Sequence, residues 1–174
     1  MIHIFHLVLL IAVVLSGCST DDRVQQLLDQ GEVIKTINTL FIETDNRNWT
    51  AVKTVFAESV LLDMTSMVGG RPAQLSPQQI IDAWDKGLKP LQAIHHQAGN
   101  YIVTVKGSEA EAFCYGIASH YLPNPSNQNT RIFVGSYNFH LTKHGQGWMI
   151  DKLKFNLKYI DGNKDLTNPS KQSK

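Results

Sequence analysis

The chain has 174 residues, 43 % of them apolar, with 16 basic and 15 acidic side chains and a formal charge of +1. That length suits one domain and buries roughly two-thirds of the unfolded surface, so no disulfide framework is required. The apolar fraction excludes a disordered chain, and the balanced charge argues against a dedicated nucleic-acid binder.

Leu7 to Leu15 form an unbroken apolar run of nine residues. A membrane span needs about 20, so the run is too short to cross a bilayer but has the length of a secretory signal core. Leu15-Ser16-Gly17-Cys18 follows at once and resembles the lipobox of bacterial lipoproteins, whose cysteine is lipidated and becomes the new amino terminus. Small residues at 16 and 17 suit a peptidase, and the Cys18 thiol suits acylation. The flank departs from the usual pattern, with His3 and His6 but no Lys or Arg. A buried apolar element with a chance cysteine is the alternative. The expectation is a signal peptide over 1–17, lipid on Cys18, a short tether or helix over 18–31, a domain over 32–162 and a mobile polar tail over 163–174. It places the protein in a bacterial cell envelope, lipid-anchored to a membrane (the periplasmic face of the outer membrane in a Gram-negative cell). Cys114, the other of the two cysteines, reads as a buried structural thiol.

From Asp22, Val24, Leu27, Leu28, Ile34, Ile37, Leu40 and Phe41 recur at helical spacing. Gly31 divides that pattern into a short helix and a main helix from Glu32 to about Asp45. Asn46-Arg47-Asn48 reads as a turn, and a short helix follows with Trp49, Val52, Val55 and Phe56 on one face. Val60 to Met64 predict a strand, and Gly69-Gly70-Arg71-Pro72 a break. Ser76-Pro77 open a third helix, serine as cap and proline at the first helical position, with Ile80, Ile81, Trp84 and Leu88 as its buried stripe. Beyond Gln97 the period becomes two. Strands are predicted around Tyr101–Val105, Ala112–Tyr121 and Ile132–Leu141, with a hairpin turn at His144-Gly145-Gln146-Gly147. In the last strand Trp148 and Ile150 are even-numbered, but Leu153, Phe155, Leu157 and Tyr159 are odd. An added residue near Asp151-Lys152 reconciles them, so a β-bulge is predicted there.

Three helices followed by a strand-rich half imply an α+β domain, with the three main helices packed on a strongly bent, mostly antiparallel sheet. Three segments carry a resemblance: Glu43-Thr44-Asp45-Asn46-Arg47-Asn48-Trp49, His96-Gln97-Ala98-Gly99-Asn100, and Gly147-Trp148 with Phe155-Asn156-Leu157-Lys158-Tyr159. With the order of elements, they resemble the SnoaL-like branch of the nuclear-transport-factor-2-like superfamily, near scytalone dehydratase and hexachlorocyclohexane dehydrochlorinase. The resemblance implies a cone-shaped fold and an aspartate–histidine catalytic pair at Asp45 and His96. It also implies a homodimer formed through the outer face of the sheet. A carboxylate on one imidazole nitrogen fixes the tautomer and leaves the other nitrogen to take a proton, which suits elimination or isomerisation. The tyrosines that hold substrate in scytalone dehydratase match Thr44 and Met64 here, so its reaction does not carry over. Asp63, Tyr115, His120, Tyr137 and Asn138 are the further pocket candidates, although strand parity puts Tyr115 and His120 on opposite faces.

His95 and His96 are adjacent and point to opposite faces of a strand, a poor metal pair. No ligand spacing supports a metal site, and no phosphate-binding glycine loop, nicotinamide fingerprint or serine elbow is present. No cofactor and no nucleic-acid partner is expected. Two functions remain: a cofactor-independent lyase or isomerase acting on a small, largely apolar molecule, or a non-catalytic module of the same fold that binds a hydrophobic ligand or dimerises.

Overall fold

A computed structural model describes residues 20–168. The expected signal segment, Cys18 and residues 169–174 lie outside the described residues. No helix among the described residues is long and apolar enough to cross a membrane.

The first helix, α1 (Thr20–Asp45), runs unbroken through Gly31 rather than dividing there. A helical glycine costs about 1 kcal/mol, and the packing of the turns beyond it outweighs that. Val33, Ile37, Leu40 and Phe41 bury one face, whereas Val24, Leu27 and Leu28, expected to join that face, stay exposed. Asp29 ties the helix to the sheet by accepting from Lys143 Nζ at 2.7 Å and Trp148 Nε1 at 3.3 Å. Arg47 takes a left-handed conformation in the turn that follows. Asn48 then caps α2 (Trp49–Thr54). Phe56, assigned to that helix by its spacing, instead opens β1 (Phe56–Asp63).

Two short elements follow, α3 (Thr65–Val68) and β2 (Ala73–Leu75). Helix α4 (Pro77–Leu88) starts on a reciprocal capping box between Ser76 and Gln79, with proline at the first position. Four long strands complete the chain: β3 (Ala93–Lys106), β4 (Glu109–Tyr121), β5 (Thr130–His144) and β6 (Gly147–Gly162). Gly145, at φ +60°, makes the two-residue turn between the last two. The six strands lie in the order β2-β1-β6-β5-β4-β3, antiparallel throughout except for the parallel pair β1 and β6.

Bulges decide which residues face the helices. His140 pairs with Lys152 and Leu141 with Ile150, so Asp151 is the extra residue of β6, at the predicted place. The bulge lets Ile150 and Leu153 both reach the core, and Asp151 Oδ1 meets His140 Nδ1 at 2.5 Å on the other face. A second bulge at Lys158, which the apolar pattern does not announce, leaves Tyr159 57 % exposed. In β3 a third irregularity, between Gly99 and Ile102, changes the inward set from Ile94, His96 and Ala98 to Tyr101, Val103 and Val105.

Strand β4 turns its small side chains inward: Ala110, Ala112, Cys114 and Ala118 are buried, while Tyr115 and Ile117 face out. Burial pushes the Cys114 thiol up to about 12, so it stays protonated and structural. Small residues on the inner face keep the sheet from filling its own concavity. Residues 163–168, expected as the start of a mobile tail, fold back instead. Leu166 is fully buried against Leu91 and Ile94, and that apolar contact holds the segment.

Candidate functional site

A cavity of about 250 Å3 lies between the helices and the inner face of the sheet. Its helical walls are Leu40, Phe41 and Thr44 of α1 with Trp84 and Leu88 of α4, and Met64 and Met67 close one side. The sheet contributes His96, Ala118, His120, Arg131, Phe133, Tyr137, Leu153 and Phe155. The lining is mostly apolar with a few polar groups, the usual character of a small-molecule site. At ~300–1,000 Å3 typical ligand pockets are larger, so this one fits a small occupant.

Asp45 is the last residue of α1, where the helix dipole disfavours a carboxylate. His96 compensates twice. Its ring Nδ1 lies 2.6 Å from Asp45 Oδ1, and its backbone N–H donates to Oδ2 at 2.8 Å. Burial alone would raise the Asp45 pKa, but the hydrogen bonds from the His96 ring and backbone hold it below the ordinary carboxylate value. An ionised Asp45 accepts from Nδ1–H, so the neutral imidazole carries its lone pair on Nε2. That nitrogen has no protein partner among the described residues. Phe41 stacks on the imidazole with centroids 5.3 Å apart, which fixes the ring plane. His95 points outward, its side chain 74 % exposed.

His120 and Tyr137, both expected at the pocket, line it. Burial first, and then the charge of Arg131, push the His120 pKa down to about 4, so the ring is neutral at neutral pH. Its Nδ1 lies 3.3 Å from Arg131 Nη2. Arginine can only donate, so Nδ1 accepts and Nε2 carries the hydrogen. Burial also raises the Tyr137 phenol well above its ordinary pKa, so the hydroxyl stays protonated. The Tyr137 ring fits because Gly116 stands opposite. A Cβ there would lie 2.3 Å from the ring.

The other three candidates lie outside this cavity. Asp63 holds the start of α3, accepting from Thr65 N at 3.1 Å and Thr65 Oγ1 at 2.6 Å, and pairs with Lys154 at 3.2 Å. Tyr115 is on the outer face of β4, opposite in parity to His120, with Lys158 Nζ 4.2 Å from its ring centroid. Asn138 follows Tyr137 on β5 and therefore points away, accepting from Asn156 Nδ2 at 2.8 Å. Thr44 and Met64 do border the cavity, but the Thr44 hydroxyl is spent on Leu40 O at 2.7 Å. Sequence reasoning missed Arg131. Its odd parity with Phe133 and Tyr137 on β5 was the available signal.

Among the described residues no group of three or more His, Cys, Asp or Glu side chains could hold a metal ion. Solved structures with the same fold include the Kfla4162 protein of Kribbella flavida, 20 % identical with a TM-score of 0.75, covering 78 % of this chain and 94 % of its own. A candidate scytalone dehydratase of Novosphingobium aromaticivorans is 12 % identical at TM-score 0.70, covering 81 % and 91 %. A type 2 hexachlorocyclohexane dehydrochlorinase is 12 % identical at TM-score 0.68, covering 81 % and 93 %. No curated protein matches the chain. At such identities the structures speak for the fold, the nuclear-transport-factor-2-like cone with its curled, unclosed sheet. Residues 25–154 match the SnoaL-like domain, most of the chain, and the protein belongs to that family.

Proposed function

We propose that the protein is a cofactor-independent lyase or isomerase in which His96 acts as general base, oriented by Asp45, on a small and largely apolar substrate. The observation that carries this reading is the double contact of Asp45 with the ring and backbone of His96, which leaves Nε2 for the cavity. Likeness to proteins described as a dehydratase and a dehydrochlorinase supports the reaction class. Nε2 removes a proton beside a carbonyl or a leaving group, and Asp45 stabilises the imidazolium that forms. Tyr137, protonated and without a protein partner among the described residues, donates its hydroxyl to the oxygen on which charge develops.

A screen of small carbonyl- and hydroxyl-bearing compounds, comparing the intact protein with His96→Ala, tests the proposal. Turnover is expected in the first and a loss of roughly 10²–10⁴-fold in the second. Full activity in a folded His96→Ala protein would remove His96 from the role of base.

We also propose that lipid on Cys18 tethers this domain to a membrane of the cell envelope, on the strength of Leu15-Ser16-Gly17-Cys18 behind its apolar run. Two or more acyl chains give stable anchoring where a single chain binds only reversibly. Cys18→Ser, expressed with its leader in bacteria, is expected to leave the membrane fraction. Retention there would refute the tether.

A further inference from the structure

The cavity holds a cation at a distance from the proposed base. Arg131 sits at the start of β5, paired across the sheet with His120 of β4, which is itself two residues beyond the position opposite His96. Two strand spacings, roughly 10 Å, therefore separate the strand of the dyad from that of the guanidinium. Arg131 Nη2 donates to His120 Nδ1 and Nη1 donates to Lys164 O, each at 3.3 Å. Its Nε–H is buried and has no hydrogen-bond partner among the described residues. The group also lies over Phe133, 5.1 Å from the ring centroid. Such contacts hold a flexible side chain in one place while one donor remains unused.

An unpaired buried N–H is costly, and more so on a charged group. His120, being neutral, brings no countercharge, and its own hydrogen is on Nε2. Asp165 is the carboxylate whose field favours the charged guanidinium. Cation, neutral donor and apolar wall thus converge on one part of the cavity, the arrangement that selects an anionic oxygen attached to an apolar body.

We infer that the cavity takes a small aromatic or aliphatic carboxylate, whose carboxylate oxygen pairs with the Arg131 guanidinium at the cavity wall while its apolar body extends toward His96. Apolar cavities of ~150 Å3 hold benzene, so about 250 Å3 admits a substituted ring. This inference rests on the reading of the cavity as a ligand pocket and needs no catalysis. Arg131 is then a specificity-determining residue, distinct from the Asp45–His96 pair.

The test is binding of benzoate and of its neutral counterpart benzyl alcohol to the full chain, measured by ligand-observed NMR titration. Intact protein is expected to prefer benzoate by about tenfold or more, as a charge-assisted bond should confer. Arg131→Gln should abolish that preference and leave benzyl alcohol affinity within about threefold. Arg131→Lys keeps the charge without the planar guanidinium. It serves if the glutamine variant does not fold, and is expected to weaken benzoate at least about threefold. Equal affinity for the two probes in the intact protein overturns the inference, as does an unchanged benzoate preference in either folded variant. Failure of both probes to bind overturns the pocket reading as well, so the two failures are distinguishable.

Discussion

Asp45→Asn is expected to move the proton of His96 from Nδ1 to Nε2 and to reduce turnover by roughly 10²–10⁴-fold, with little loss of stability. The geometry dictates the switch. The His96 backbone N–H can only donate, so the carbonyl oxygen of an asparagine must take the place of Oδ2, 2.8 Å away. Its amide nitrogen then faces Nδ1 from the position of Oδ1, 2.6 Å away, and must donate to it. Nδ1 becomes the acceptor and Nε2, the nitrogen proposed to take the substrate proton, is already protonated. Both hydrogen bonds survive, which is why stability should change by less than about 1.5 kcal/mol. Asp45→Ala differs: it leaves two donors of a part-buried residue unpaired and should cost about 2–4 kcal/mol. Nitrogen-15 chemical shifts of the His96 ring report the tautomer directly and need no substrate. An Asp45→Asn protein that still carries its hydrogen on Nδ1 would show that Asp45 does not set the tautomer.

Those two residues lie 51 positions apart, and nothing in local periodicity joins them. Their pairing was legible only through family resemblance, because the contact is made by a helix end meeting a strand from a later part of the chain. Local chemistry served well where it was strong. Ser76-Pro77 marked the start of α4, and the change of apolar parity located the bulge at Asp151. Elements of three or four residues, β2 and α3, were illegible because so short a stretch has no period to read. Alternation in β4 was plain, but its sense was not: the bulky Tyr115 and Ile117 face outward and the small Ala112, Cys114 and Ala118 inward. The inner face of a sheet that must admit α1 and a cavity selects small side chains, a tertiary demand that outweighs hydrophobicity. Asn138 and Tyr137 could have been separated by parity alone, since neighbours on a strand cannot share a face.

Acid should destabilise the protein well before its carboxylates titrate, and His120 should be the reason. In the folded state its pKa is about 4, against an ordinary 6.5, because the ring is buried and Arg131 lies beside it. Above pH 6.5 both folded and unfolded chains carry it neutral, and no penalty arises. Between 6.5 and about 4 the unfolded chain binds a proton that the folded chain refuses, so stability falls as pH falls. Below that range both forms are protonated and the loss stops growing. The full loss is on the order of 3 kcal/mol. Asp29, lowered chiefly by Lys143, and Asp63, lowered chiefly by Thr65, act in a different window. Their contributions are present above their unfolded value of 3.8 and are lost only as pH drops below it. Asp45, with its pKa also lowered from 3.8, belongs with them. Urea unfolding at pH 7 and pH 4.5 therefore isolates the histidine when the intact protein is compared with His120→Gln, whose amide oxygen can still accept from Arg131. The intact protein should lose about 2–3 kcal/mol more than the variant over that interval. Parallel losses in the two proteins would mean that His120 is not held neutral. Protonation of His120 would also remove the acceptor of Arg131 Nη2 and set two cations side by side, so one titration couples the packing of β4 on β5 to the cavity wall that Arg131 forms.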